Sequence, residues 1–331
     1  MSASDRVETK WSRLVEQALR RRAPILRDAN TTALRLIHGA GDGLPGLVVE
    51  QFGEVLVAQL HEERLSLPQE AVRAIVIALA RRRGAQAVYR KVFPRDRSAS
   101  RARLDALHHA AAPWWGRPAE EEFEVRERGV AFRIRPYDGY SVGLFLEQRA
   151  NRDRVRQLAE GRRVLNVFAY TCGFSVCAAL GGAAETVSVD VSKRYLEWGR
   201  RNFAANGLAL ERHVFIRSDA LDYFRRARRQ GRAFDIVILD PPTFARVKGR
   251  RKPFVFEQQI GALATAAMEV LQRGGRLLAC TNHRETTIRD LERIVRRAAG
   301  ERRIESVARP KLPPDFPGDG DYAKSLWLRV N

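Results

Sequence analysis

From residue 163 onward, short apolar runs alternate with amphipathic stretches, and this alternation narrows the possible folds more than any other feature of the chain. Strand-like runs rich in Val, Ile, Leu and Phe occupy 164–168, 186–190, 214–217, 234–239 and 276–280. Between and after them the pattern predicts helices over 173–180, 192–206, 219–229, 255–271 and 286–299. Apolar strands separated by helices bury both faces of a sheet. They therefore specify a parallel sheet with helices on each side, a doubly wound α/β fold of Rossmann-like type. Beyond the last helix, 304–307 and 324–330 read as a closing antiparallel pair.

The region upstream has a different rhythm. Residues 11–23 read as a basic helix with Trp11, Leu14, Val15, Ala18 and Leu19 on one face. Short strands follow at 34–38, 47–50 and 55–60, with the glycine-rich turn 39–46 after the first. Pro68 opens a helix to about Arg82, and 87–93 is another strand. This makes an N-terminal α+β unit over 1–118. A β-hairpin over 119–136 links it to an α/β domain over 137–331. A chain of 331 residues accommodates two such domains. No internal repeat or low-complexity tract interrupts it.

Charge points to a class of partner. Lys and Arg outnumber Asp and Glu by 59 to 39, a formal charge of +20. Such an excess favours polyanions, because each cation set beside a phosphate releases condensed counterions. Only seven of the 59 basic residues are lysine, so an arginine-rich composition supplies part of it. Three cysteines, Cys172, Cys177 and Cys280, are too few for a disulfide framework and fit a reducing cytoplasm. The first residues are polar without an apolar leader, and the most apolar stretch, 74–80, is far short of a membrane span. The expectation is a cytoplasmic protein without a membrane partner; oligomeric state is not encoded in any of these features.

In an open α/β sheet, ligands bind outside the carboxyl ends of the strands, so the strand-ending residues matter most. The first strand runs into Asn166, Val167, Phe168, Ala169, Tyr170, Thr171, Cys172, Gly173 and Phe174. With one glycine, this loop lacks the G-x-G-x-x-G pyrophosphate cradle, which disfavours dinucleotides and nucleoside triphosphates. The second strand ends in Asp190, 24 residues after Asn166, where a carboxylate can accept both ribose hydroxyls. The third is followed by Ser218 and Asp219, whose carboxylate suits an adenine amino group. Strand-end aspartates also cap helices, and Asp219 is well placed to do so. Taken together, these positions describe an adenosine site without phosphates. The fourth strand ends in Asp240, Pro241, Pro242, Thr243 and Phe244. Two prolines remove two donors and hold carbonyl acceptors at the strand tip. A carboxylate with fixed carbonyls can hold an amino-bearing ring, and Phe244 can stack on its face.

These motifs, in this order, with Lys193, Glu197, Trp198, Asn202, Phe203, Asn206 and Gly207 between them, resemble the class I S-adenosylmethionine-dependent methyltransferases that act on 23S rRNA bases. The stretch 138–149, which contains Gln148, with Asn151 and Arg152 after it, is similar to the family's segment leading into the cofactor site, and 41–49 to its accessory domain. The resemblance spans about 34–331. It implies S-adenosylmethionine as cofactor and RNA, a 23S rRNA or its precursor particle, as partner. Gln148, Asn166, Phe168, Tyr170, Thr171 and Gly173 would hold the methionine part, Asp190 the ribose and Asp219 the adenine. Asp240, Pro241, Pro242 and Phe244 would face the methyl acceptor, while the 1–118 unit would help position RNA.

Two departures from the family pattern bear on the target base. Members with cytosine-C5 activity often begin with an RNA-binding PUA domain, and the stretch before residue 34 is too short to hold one. Those members also attack the ring with a cysteine just after the fifth strand. Counted from Gly274 and Gly275, that position falls on Asn282, with Cys280 two residues earlier inside the strand. Cytosine C5 is a poor nucleophile until a thiolate adds to the ring, whereas guanine nitrogens need no covalent step. The expected activity is methyl transfer to a guanine nitrogen. The alternatives are cytosine-C5 transfer, a small-molecule methyltransferase and a non-catalytic RNA-binding protein.

Other features carry less. Cys172 and Cys177 with six scattered histidines do not make a metal site, and none is expected. His283 could line the acceptor pocket, while His108 and His109 read as a surface pair. The arginines at 95, 97, 101 and 103 form a basic loop, and Trp114 and Trp115 suit packing at a domain interface or stacking on a base. The basic run 246–252 directly follows the acceptor motif, where it would meet RNA beside the target base.

Overall fold

A computed structural model describes residues 3–95, 112–139, 141–245, 253–318 and 322–331. Arg97, Arg101 and Arg103, the pair His108–His109 and the basic run 246–252 lie outside the described residues. Two compact units emerge, Met1–Glu147 with Pro313–Asp319, and Gln148–Leu312 with Gly320–Asn331.

The first unit is built on a five-stranded sheet, β1 (Ala33–His38), β2 (Leu47–Phe52), β3 (Val55–His61), β4 (Ala87–Phe93) and β5 (Trp115–Gly116), in sequential order. Neighbours are antiparallel except β3 and β4, which run parallel because the helix Gln69–Arg82 carries the chain back between them. The opening helix covers Ala3–Arg21, and Pro24 starts a separate turn, Ala23–Leu26, so it ends earlier than the sequence pattern indicates. Trp114 and Trp115 pack on this unit's own core, and the Arg90 guanidinium sits 5.3 Å from the Trp114 ring centroid. The hairpin of β6 (Phe123–Glu127) and β7 (Val130–Ile134) belongs to this unit as well.

The second unit is a seven-stranded sheet. Its strands are β8 (Arg163–Val167), β9 (Glu185–Asp190), β10 (His213–Arg217), β11 (Phe234–Leu239), β14 (Leu271–Thr281), β15 (Ile304–Ala308) and β16 (Lys324–Val330). The short pair β12 (Phe244–Ala245) and β13 (Phe254–Val255) stands apart from it. The sheet order is β10-β9-β8-β11-β14-β16-β15. β8 to β11 and β14 are parallel, and β16 runs antiparallel to both β14 and β15. The doubly wound sheet and its closing antiparallel pair match the sequence pattern. The fifth strand, β14, starts five residues earlier than that pattern suggests, with a register shift opposite Phe234 and Ile236.

Both sheet faces are covered. Helices Ala220–Arg229, Phe256–Val270 and Ile288–Ala299 bury one around Leu165, Val237, Leu263 and Leu277. Val155 of helix Arg149–Leu158 and Phe174 of helix Gly173–Leu180 pack with Ile236, Leu278 and Trp327 on the other. Local chemistry sets several helix starts. Ser192 accepts from Tyr195 N, Asp219 accepts from Leu221 N and Asp222 N, and Thr287 with Asp290 forms a capping box. Strand order steps outward from β8 to β10, then returns to β11 beside β8. In open α/β sheets such a reversal, here between β8 and β11, is where ligands bind, outside the carboxyl ends of the strands. Among the described residues, no helix is long and apolar enough to cross a membrane.

Candidate active site

The loop leaving β8 carries three non-glycine residues in the left-handed region, Phe168 (φ 62°), Tyr170 (φ 50°) and Cys172 (φ 62°). Each such conformation costs about 1–2 kcal/mol in isolation, and strain of this kind concentrates where backbone must be presented to a ligand. Hydrogen bonds hold it in place. Ala169 N donates to Val189 O (3.0 Å), Tyr170 N to Asp190 Oδ2 (2.9 Å) and Asn202 Nδ2 to Thr171 O (2.8 Å). The Tyr170 ring meets Tyr195 edge-on at 4.5 Å, and Phe168 tilts against Phe254 at 5.4 Å. Gly199 leaves room for Cys172, since a Cβ there would overlap the Cys172 sulfur. Burial pushes the Cys172 thiol up to about 12, so it stays protonated and unreactive.

Gly173 begins the helix Gly173–Leu180, whose N-terminus receives no side-chain cap from Cys172. Asn166 is buried at the end of β8. Its Nδ2 donates to Ser175 Oγ (2.9 Å), while its Oδ1 has no hydrogen-bond partner among the described residues. Asp190 accepts from Tyr170 N through Oδ2 and from Ser192 N through Oδ1 (2.8 Å). Burial raises its carboxyl above the ordinary range, and these backbone N–H groups partly offset that. Ser218 N donates to Asp190 O (3.1 Å), tying the third strand's end to the second's. Asp219 uses Oδ1 to cap the helix after it, receiving Leu221 N at 2.9 Å and Asp222 N at 3.3 Å.

Asp240 follows β11, half-buried, and Gln148 Nε2 lies 3.4 Å from its Oδ2. Pro241 is buried and Pro242 half-buried. Phe244 stands 54% exposed on β12, a large apolar ring four residues after Asp240 in the chain. Thr243 Oγ1 donates to Asn282 Oδ1 (2.6 Å), joining the segment after β11 to the end of β14. Cys280 is inside that strand, fully buried and paired with Ser325 of β16. His283 stacks on Phe256 (5.6 Å), and its Nδ1 is 2.8 Å from Thr286 Oγ1. Its Nε2 lies 3.8 Å from Glu257, and these two with Glu285 bring three ligand-type atoms within 4.8 Å of one another on the surface. That is the donor set a cation would find among the described residues.

Asn166 lies near the carboxyl end of β8 and Phe168, Tyr170, Thr171 and Gly173 just after it; Asp190 ends β9, Asp219 follows β10, and Asp240, Pro241, Pro242 and Phe244 follow β11, while Gln148, before β8, approaches Asp240. Sequence reasoning missed Gly199 and Trp327, which lie in a helix interior and a distant strand and carry no local signature. An adenosine cofactor with an amino-acid tail fits what is present. Asn166 offers a buried acceptor with no donor among the described residues, the following helix start has no side-chain cap from Cys172, and Asp190 is an acidic strand terminus.

Comparison with known proteins gives a consistent picture. A profile described as S-adenosylmethionine-dependent methyltransferase matches residues 34–329. A ribosomal RNA large subunit methyltransferase of Deinococcus radiodurans is 31% identical over 336 residues, covering 97% of this chain and 79% of that protein. Ribosomal RNA large subunit methyltransferase I of Erwinia tasmaniensis is 33% identical over 316 residues, covering 92% and 74%. The crystal structure of SMU.776, described as a methyltransferase and complexed with SAH, has a TM-score of 0.85 at 28% identity, covering 98% of this chain and 82% of that one. A SAM-dependent methyltransferase from Agrobacterium tumefaciens shares the fold, with a TM-score of 0.65 at 21% identity, covering 92% and 90%.

Proposed function

Because the chain belongs to the S-adenosylmethionine-dependent methyltransferase family, we propose that it methylates a base of ribosomal RNA, and that the acceptor is a guanine nitrogen of 23S rRNA. Two lines of support bear on RNA, the names of the relatives and the +20 charge. The observation that carries the choice of atom is the end of β14. There Asn282, held by Thr243, occupies the tip, and the strand's thiol, Cys280, is buried beneath it. Transfer to cytosine C5 needs a thiolate that can reach the ring, and Cys280 cannot. A guanine nitrogen needs only alignment with the methyl group and its leaving sulfur, which is a matter of positioning.

When bound, S-adenosylmethionine supplies an electrophilic methyl on a sulfonium. Asn166, Phe168, Tyr170, Thr171 and Gly173 would hold its methionine part, with Gln148 nearby, while Asp190 would accept from the ribose and Asp219 from the adenine. Asp240 and the carbonyls around Pro241 and Pro242 accept from the N–H groups of the target base, and Phe244 stacks on its face. The Met1–Glu147 unit and the arginine-rich surface bind flanking phosphates. The test is transfer of labelled methyl from S-adenosylmethionine to rRNA from cells lacking this gene, followed by nucleoside mass analysis. Methylguanosine is expected. Methylcytidine would overturn the choice of atom, and cofactor binding without any transfer to RNA would overturn the substrate.

A further inference from the structure

Beside Asp240 runs a line of buried amides whose direction is set at one end. The indole of Trp327, in β16, can only donate, and Nε1 bonds Asn151 Oδ1 at 2.9 Å. Asn151 therefore presents Nδ2 on its other side, where it donates to Gln148 Oε1 and to Ser325 Oγ, each at 2.7 Å. With its oxygen engaged there, Gln148 turns Nε2 toward Asp240 Oδ2, 3.4 Å away. The Cys280 sulfur closes the cluster at 3.8 Å from Gln148 Oε1 and 3.6 Å from Ser325 Oγ.

The fold explains why these residues meet. Gln148 and Asn151 lie one turn apart at the start of the helix Arg149–Leu158. Ser325 and Trp327 alternate along β16 and so share a sheet face, and Cys280 is the cross-strand partner of Ser325. Asp240 leaves β11, the strand on the other side of β14. Gln148, Asn151 and Ser325 are buried polar residues in a low-dielectric surrounding, where a reversed amide would set oxygen against a carboxylate.

We infer that Trp327, Asn151 and Gln148 form a positioning relay for the Asp240 carboxylate. Gln148 touches Asp240, and the other two act through Gln148. The inference rests on the proposed role of Asp240 at the methyl acceptor. It gives Gln148 a task beyond the cofactor contact that the family resemblance implies: keeping the carboxylate in the one orientation that receives the incoming base. Misorientation of an acceptor-holding group lowers turnover without loosening the cofactor.

The experiment uses the full chain and counts total labelled methyl delivered to rRNA, so that its result does not depend on which base is modified. Cofactor Kd is measured alongside by calorimetry. Trp327→Phe removes the donor that sets the direction while keeping an aromatic ring, and Asn151→Leu breaks the middle link. Each is expected to lower kcat at least about tenfold with cofactor Kd changed by less than about twofold. Ser325→Ala leaves all three links in place and is expected to retain kcat within about threefold. Wild-type kcat in folded Trp327→Phe, or a loss confined to cofactor Kd, overturns the relay. Should Asn151→Leu fail to fold, Trp327→Phe alone decides. Asp240→Ala, run beside them, separates the two layers. Full activity there overturns the acceptor assignment, whereas an inactive Asp240→Ala with active relay variants overturns the relay alone.

Discussion

Cys172 shows how a single residue constrains the site. Its backbone is left-handed (φ 62°) in the loop where glycine would cost nothing, and its side chain is fully buried. The opposing helix, Lys193–Ala205, accommodates it with Gly199, where any Cβ would overlap the sulfur. The two positions are therefore complementary in volume. Gly199→Ala is expected to destabilise the protein by about 1–3 kcal/mol, because overpacked cores must shift backbone or side chains. Adding Cys172→Gly should recover much of that loss, since it removes the overlapping atom and relaxes the loop. Denaturant unfolding of the two single variants and the double variant measures the coupling; simple additivity would refute it. The sequence singled out 166–174 as the cofactor loop. It could not reveal this pairing, because Gly199 reads there as one more residue of an amphipathic helix.

Among the elements, β1 and the turn after it organise the first unit through buried charge. Arg22 and Asp42 are both fully buried and face each other through two hydrogen bonds, Nη2 to Oδ2 at 2.6 Å and Nη1 to Oδ1 at 3.1 Å. Arg35 pairs with Glu50 across β1 and β2 (2.7 Å), and Asp315 Oδ2 accepts from Arg35 N (3.0 Å). Breaking such a pair by removing one partner costs about 3–5 kcal/mol, because the other charge stays buried. His38 sits inside this network, and burial, then the Arg35 charge, lowers its pKa to about 3 from 6.5. Between those values the unfolded chain binds a proton that the folded one refuses, so stability falls as pH drops from 6.5 toward about 3. A His38→Gln variant should show a flatter decline of thermal midpoint over that range; an unchanged slope would mean that other groups govern the acid limb. The strand and the turn are legible in the sequence. The ion network is not, because its partners come from residues as far apart as 22 and 315.

At the scale of the whole molecule, the +20 charge becomes a statement about binding. If the protein engages RNA phosphates, the logarithm of its affinity falls linearly with the logarithm of salt concentration, with a slope of about −0.7 to −0.9 per phosphate neutralised. Titration of rRNA fragments between low and physiological salt should give a slope steeper than about −3, equivalent to four or more phosphates. Binding of the cofactor alone should be nearly independent of salt. A shallow slope for RNA would assign the charge to general composition rather than to an interface. The two compact units make this test informative, because it reads the electrostatic contribution of the full chain without assigning it to either unit.

Much of this protein is written locally. The repeating apolar period, the helix caps and the paired prolines at 241 and 242 act on their immediate neighbours, so the doubly wound sheet and the ends of its strands can be read from contiguous residues. The family motifs add the cofactor, and counting from Gly274 and Gly275 gives the expectation that Asn282 stands where the resemblance implies a cysteine. Tertiary structure alone decided which side chains meet across long separations. It set the strand order that lays β16 against β14 and so brings Trp327 to Asn151, Asn151 to Gln148 and Gln148 to Asp240. It also turned Trp114 and Trp115 onto the first unit's core, and it left the Phe244 ring exposed after β11. The physical reason is the range of the forces involved. Propensity and periodicity bias each segment by itself, whereas the direction of a buried hydrogen bond depends on the donor that the fold places opposite it.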